Sequence, residues 1–227
     1  MSRQQPKITG PEDWKRSDQY HNSFLHTPDP ILDAVLKHST DSDLPEMAVS
    51  AAQGKLLNLL ASSIGARKIL EVGTLGGYST IWLARALPAD GELITLEYNE
   101  KHAKVAQENI DRADLSSKIK IIVGLGHKSM LQMHPDVPFD LIFIDADKSS
   151  NVKYFSEAKR LVRKGGVIIV DNVVRLGRVA DPEYSDASVE GVRALLRVLK
   201  DDADVEATTI ATVGDKGYDG FMYAIRK

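Results

Sequence analysis

Between Lys68 and Asp171 the chain alternates short, wholly apolar runs with longer stretches whose apolar residues recur at helical spacing, and few folds accept that pattern. The runs are Lys68–Val72, Glu92–Glu97, Lys118–Val123, Phe139–Asp145 and Gly166–Asp171. Segments such as LIFID and GVIIVD are apolar at consecutive positions, as strands covered on both faces must be. Helices are expected between them at Ser79–Leu87, Lys101–Ala113, Ser129–Met133 and Asn151–Val162. Strands and helices in strict alternation predict βαβ units, hence an α/β, doubly wound and mostly parallel sheet with helices on both faces. After Asp171 a long polar connection leads to a helix at Ser188–Leu199. Strands at Val205–Val213 and Gly220–Arg226 then flank the turn-rich GDKGYDG and are expected to pair as a closing hairpin, making that edge mixed.

The first 30 residues are polar and punctuated by Pro6, Pro11, Pro28 and Pro30, which predicts an arm with one short helix. Helical spacing follows at Ile31–Lys37 and Glu46–Ser63, with Leu56, Leu57, Leu59 and Leu60 expected as the buried stripe. Residues 1–40 therefore read as an arm and 41–227 as a single domain, in keeping with a chain of 227 residues. A net charge of −3 and the lack of any Lys/Arg run argue against a nucleic-acid partner. No stretch reaches the roughly 18 to 20 apolar residues of a membrane span. With no apolar leader at the start, the expected location is the cytosol.

The first strand runs into ILEVGTLGGYS. In an open α/β sheet, ligands bind where strands end and the chain turns into the next helix. Gly73, Gly76 and Gly77 would let backbone approach a ligand, and Ser79 stands where a helix begins and could bind a carboxylate. A dinucleotide fingerprint needs glycine at positions one, three and six; here those are Gly73, Leu75 and Tyr78, so the pattern fails twice. Glu97 closes the second strand, where an acid can accept hydrogen bonds from both ribose hydroxyls. A tight turn and a solvent-facing glutamate would explain either feature alone. Their combination on consecutive strand ends points to an adenosyl ligand.

The fourth strand ends FIDADK and the fifth IIVDN. If these strands are neighbours, Asp145, Asp171 and Asn172 converge beside the glycine turn. The chain has no cysteine, so a metal must be held by oxygen or imidazole. Two carboxylates and an amide suit a hard divalent metal, Mg²⁺ or Mn²⁺. A strand-end aspartate can equally cap a helix, the role assigned to Asp147. Lys148 is either a surface lysine or a general base beside the metal; a dication and partial burial would lower its pKa from about 10.4 toward that task. The six histidines lack metal-ligand spacing. His21, His26, His38 and His102 read as structural or solvated, and His127, in VGLGHKS, as the exception.

MAVSAAQGKLL, LEVGTLGGYS, the Glu97 strand, VGLGH, FDLIFIDADK and VIIVDN occur in that order, and the sequence resembles the cation-dependent class I O-methyltransferases typified by caffeoyl-CoA and catechol O-methyltransferases. The resemblance is close over Glu46–Asn172 and looser beyond. It implies a seven-stranded sheet with the last strand antiparallel, and S-adenosylmethionine as cofactor. Met47, Ala48 and Val49 would cover its methionine part, and Gly73 and Ser79, with Glu71, Gly77 and Tyr78 beside them, its amino acid end. Glu97 would hold the ribose, Gly126 and His127 the adenine. Asp145, Asp171 and Asn172 would bind the metal; Asp145 would also touch the cofactor and stand at the reacting centre with Lys148, which matches the family's base. Family members are often dimers, so a homodimer is expected.

Departures fall where substrate would bind: Arg175 and Arg178 follow the DN pair, Ser150 and Asn151 replace the usual Asn-Tyr, and GDKGYDG puts Tyr218 in a lengthened loop. Arg175, Arg178, Tyr184 and Tyr218 are the candidates for shaping selectivity. The expected activity is methyl transfer to a hydroxyl of a vicinal dihydroxy aromatic small molecule. An NAD-dependent oxidoreductase, an inactive methyltransferase-like binding protein and a metal-free methyltransferase remain as alternatives.

Overall fold

The computed structural model describes residues 8–227. Seven strands form one sheet: β1 (Lys68–Val72), β2 (Glu92–Glu97), β3 (Ile119–Val123), β4 (Phe139–Ile144), β5 (Val162–Val170), β6 (Val205–Gly214) and β7 (Gly217–Arg226). Their spatial order is β3-β2-β1-β4-β5-β7-β6. The first five pair in parallel, while β7 runs antiparallel to both β5 and β6, so the last strand alone is reversed. The expected doubly wound sheet with a hairpin edge is what the chain forms.

Alternate residues of the central strands serve opposite layers, the consequence of a side-chain period of two. Ile69, Leu141, Phe143, Val167 and Ile169 pack on the face covered by α2 (Pro30–Asp41), α3 (Ala51–Ser63), α4 (Tyr78–Ala84) and α5 (Glu100–Arg112). Leu70, Val72, Ile142, Ile144, Ile168 and Val170 pack on the other face with α6 (Gly126–Gln132), α7 (Asn151–Leu161) and α8 (Ala187–Leu199). With both faces covered, an alternating pattern would expose polar groups to apolar layers, which is why these strands read as unbroken apolar runs.

Several boundaries differ from the sequence reading. The helix expected within the first 30 residues is α1 (Pro11–Leu25), and the one expected from Ile31 is α2, longer than read, with Leu32 and Val35 in the core. The first residues of that arm, with Pro6, lie outside the described ones. The helix read from Glu46 begins at Ala51, because Ser50 accepts the Gln53 N–H at 3.1 Å and caps it. Leu57 is buried, but Leu59 is 53% exposed, having fallen on the outer face of α3. Tyr218 lies on β7, since Gly214 pairs with Gly217 and only Asp215 and Lys216 form the hairpin tip.

One contact between layers fixes what lies at the strand ends. A Cβ on Gly191 of α8 would stand 2.0 Å from the Lys148 carbonyl oxygen and 2.5 Å from its carbon. Backbone meets backbone there, and no side chain can rotate aside. In an open helix, Gly→Ala gains about 1 kcal/mol of helix propensity. At Gly191 the clash outweighs that gain, so Gly191→Ala should lower stability; a rise in the urea midpoint would contradict the packing.

Candidate active site

The strand ends and the turns after them enclose one large cleft of about 1070 Å³ along the carboxyl edge of the sheet. Met47, Ala48 and Val49 line it from the loop before α3, Gly73 from the end of β1, and Tyr78 and Ser79 from the first turn of α4. Glu97 enters from the tip of β2, and Gly126 and His127 from the start of α6. Asp145, Lys148, Asn172 and Arg175 extend the lining. Glu71, Gly77 and Asp171 do not line the cleft: Glu71 and Asp171 are buried, and Gly77 is the N-cap of α4.

Gly73 adopts φ +105°, and a Cβ there would lie 2.2 Å from the carbonyl oxygen of Asp145. The glycine is thus demanded by the neighbouring strand end as well as by any ligand. Glu71 secures the turn from below. Its carboxylate accepts hydrogen bonds from Ser79 Oγ at 2.6 Å, Thr95 Oγ1 at 2.7 Å and the Thr80 hydroxyl. Thr74 Oγ1 extends the network, 2.6 Å from Thr95 Oγ1. The Ser79 hydroxyl, expected to face a ligand, is therefore spent on Glu71.

Glu97 also serves the turn. Its Oε2 accepts the N–H groups of Thr74 (3.1 Å) and Leu75 (2.8 Å), and its Oε1 that of Asn99 (2.9 Å). A carboxylate offers roughly four acceptor sites, so these three donors leave room for a further one. His102 Nδ1 lies 3.6 Å from Glu97 Oε1, and the ring lines the cleft. The sequence reading set His102 aside as structural or solvated. Its place in the first turn of α5, directly after the Glu97 strand, was the signal that could have found it.

Asp145 and Asp171 follow Ile144 and Val170, which are partners in the β4–β5 ladder. Lys148, buried at the start of the 3-10 turn Lys148–Ser150, donates to Asp145 Oδ1 at 2.7 Å. The backbone N–H of Asn172 donates to Asp171 Oδ1 at 2.8 Å, with Asn172 at φ 55°. Burial first, and then the charge of Asp145, push the Asp171 carboxyl up to about 7, with Lys148 opposing. The pair is short of positive charge, and among the described residues no third His, Asp or Glu completes a cluster. Asp147 heads the 3-10 turn and accepts the hydroxyls of Tyr154 (2.6 Å) and Ser149 (2.9 Å).

Of the selectivity candidates only Arg175 lines the cleft. Arg178 stacks over the Tyr184 ring with 4.8 Å to its centroid, and the Tyr184 hydroxyl donates to Asp186, which keeps both outside. Tyr218 accepts the Leu176 N–H through its carbonyl. Ser188 and Lys216, which the sequence reading passed over, occupy lining positions instead.

Full burial raises the Glu71 carboxyl to about 7, outweighing its three hydroxyl donors, while the unfolded value stays near 4.5. The folded state then binds more protons than the unfolded one between those values, so Glu71 costs stability as pH rises through that window. Unfolding of the ligand-free protein between pH 4.5 and 7 checks this. Glu71→Gln should remove a loss on the order of 3 kcal/mol; parallel stability curves for the two proteins would refute it.

A model of the O-methyltransferase family matches residues 23–226. A curated catechol O-methyltransferase from Mycobacterium tuberculosis is 47% identical over 208 residues, covering 92% of this chain and 94% of that protein. The crystal structure of an O-methyltransferase from Bacillus cereus in complex with SAH superposes with a TM-score of 0.93 at 47% identity, covering 96% and 100% of the two chains. An O-methyltransferase of tomaymycin synthesis from Streptomyces achromogenes, in complex with SAM, gives a TM-score of 0.92 at 44% identity over 97% and 100%. Likeness on this scale runs through every segment that builds the cleft, and the chain belongs to the O-methyltransferase family.

Proposed function

We propose that this enzyme transfers the methyl group of S-adenosylmethionine to one hydroxyl of a vicinal dihydroxy aromatic small molecule, aided by Mg²⁺ or Mn²⁺. The observation that carries the reading is that Asp145, Lys148 and Asn172 line the same cleft as the Gly73 turn and Glu97. Relatives crystallised with SAM and SAH support the cofactor, and the catechol O-methyltransferase supports the substrate class. An NAD-dependent reading has no such support.

Met47, Ala48 and Val49 are assigned to the methionine part of the cofactor, and Gly73, Tyr78 and Ser79, the last through its backbone N–H in the first turn of α4, to its amino acid end. Glu97 keeps acceptor capacity for a ribose hydroxyl, and Gly126 and His127 flank the adenine. Glu71 and Gly77 act through the turn they hold. The donor set fits a hard dication: all oxygen ligands, from Asp145, Asp171 and Asn172, with the Asp171 carboxyl raised by burial and by the charge of Asp145. Bound there, the metal would supply Lewis acidity, lowering a phenol pKa from its usual value of about 10. Lys148 steadies the phenolate as an ammonium, held at that spot by its 2.7 Å bond to Asp145, or as the neutral amine takes the phenolic proton. Fixing both reactants in one cleft can contribute about 7 to 11 kcal/mol in favourable systems.

Chelation tests the metal. Turnover should vanish with EDTA and return with Mg²⁺ or Mn²⁺, and Asp145→Ala or Asp171→Ala should lose nearly all metal-stimulated activity while calorimetry still detects S-adenosylmethionine binding. Asn172→Ala removes a neutral ligand and should do less harm. Full-rate methylation of catechol by exhaustively chelated enzyme would sink the metal assignment. Bidentate chelation also requires adjacent oxygens, so catechol should far outpace phenol at saturating metal; equal rates would exclude that binding mode.

A further inference from the structure

The acids lining the cleft are confined to one part of the chain, where Lys128, Lys148 and Lys153 also line it. Its acidic side chains, Glu46, Glu97, Asp145 and Asp147, all come from the first two thirds of the sequence. Beyond Tyr154 the lining consists of Asn172, Arg175, Ser188 and Lys216, which are two cations, an amide and a hydroxyl. Among the described residues neither Arg175 nor Lys216 forms an ion pair, in contrast to Lys148, which is matched to Asp145. The acids around them have other tasks. Asp219 Oδ1 accepts the N–H groups of Val174 (3.1 Å), Arg175 (2.7 Å) and Gly220 (2.9 Å). Asp186 caps α8 through Val189 N–H at 2.7 Å and accepts the Tyr184 hydroxyl at 3.0 Å, although the charge of Arg175 still reaches it. The Asp215 N–H is held by Asp18.

Arg175 is also presented by a backbone that the fold holds firmly. Asn172, Arg175 and Leu176 have φ of 55°, 53° and 59°, a region costly for residues with a Cβ. The β6–β7 hairpin fixes them: Asp219 binds the Val174 and Arg175 N–H groups, the Tyr218 carbonyl accepts Leu176 N–H at 3.0 Å, and Gly220 accepts Val173 N–H at 2.9 Å. The same hairpin carries Lys216 at its tip. One rigid unit thus brings two uncommitted cations to the cleft that holds Asn172.

We propose that Arg175 and Lys216 form an anion subsite, so that the preferred substrate is a vicinal dihydroxyaryl acid whose side-arm carboxylate binds there. This rests on the methyl-transfer reading and refines it: the diphenol end meets Asp145, Lys148 and Asn172, and the carboxylate end meets the two cations. Arg175 offers a planar fork suited to a carboxylate, and Lys216 a mobile point charge. The subsite takes no part in bond making. It selects and orients.

The test is steady-state methylation of three diphenols that differ in side-arm charge: 3,4-dihydroxyphenylacetate, 4-methylcatechol and dopamine. The anion should exceed the neutral compound in kcat/KM by roughly tenfold, the scale of one charge-assisted hydrogen bond, with the difference mainly in KM and dopamine the poorest. Added salt should shrink the preference. Arg175→Gln with Lys216→Gln should bring the anion-to-neutral ratio toward one, and Lys216→Glu, on an exposed hairpin tip that tolerates change, should shift preference toward dopamine. A wild-type ratio at or below one, or a ratio unchanged in these variants, overturns the subsite. If none of the three diphenols is methylated, the methyl-transfer reading falls and the subsite with it, a result distinct from equal rates.

Discussion

The site depends on the near contact between the ends of β1 and β4. Gly73 and the Asp145 carbonyl lie so close that even a methyl group on Gly73 would overlap the carbonyl oxygen. That approach lets the turn after β1 and the acidic turn after β4 open into one cleft. The ligand-binding edge of a parallel sheet is set by strand direction alone, but how closely two turns share it is set by what their backbones permit. A bulkier residue at 73 would have to push apart strands whose Ile69, Leu70, Leu141 and Ile142 are fully buried. The core therefore enforces the geometry of the site.

Around that contact, buried acids act as scaffolding. Glu71 collects three hydroxyls beneath the turn and Glu97 three backbone N–H groups beside it. Each satisfies donors that would otherwise be orphaned in a loop lacking regular hydrogen bonds. Asp219 does the same for the strained segment after β5. Asp171 has the Asn172 N–H, the Gln53 side chain and the charge of Lys148 to offset burial and the charge of Asp145, and its carboxyl stays raised all the same. Position within the sheet separates acids that stabilise turns from acids left for chemistry.

Much of this was legible in the chain itself. β1 and β2 fall where the apolar runs predicted them, and the remaining strand ends shift by a few residues at most on the side that bears the site. Asp145 and Asp171 were legible as neighbours at two strand ends because carboxylates are conspicuous after apolar runs. Hydrogen-bond partners were less legible: the Ser79 hydroxyl has an ordinary local sequence, and its acceptor, Glu71, stands on β1. Tyr184 and Tyr218 sit near the right loops but turn elsewhere, because Asp186, Arg178 and the β6–β7 register claim them.

The sequence by itself determined the layer architecture and the edge of the sheet where ligands go. Both follow from periodicity and chain direction, which are local properties of the polypeptide. Only the tertiary structure decided which polar groups remain free there. That outcome depends on long-range competition for hydrogen-bond partners: Glu71 takes Ser79 across 8 residues and Thr95 across 24, and Asp219 takes Arg175 across 44. Such competition leaves no periodic trace, since any hydroxyl or carboxylate near a strand end is an equal candidate until the strands are placed side by side.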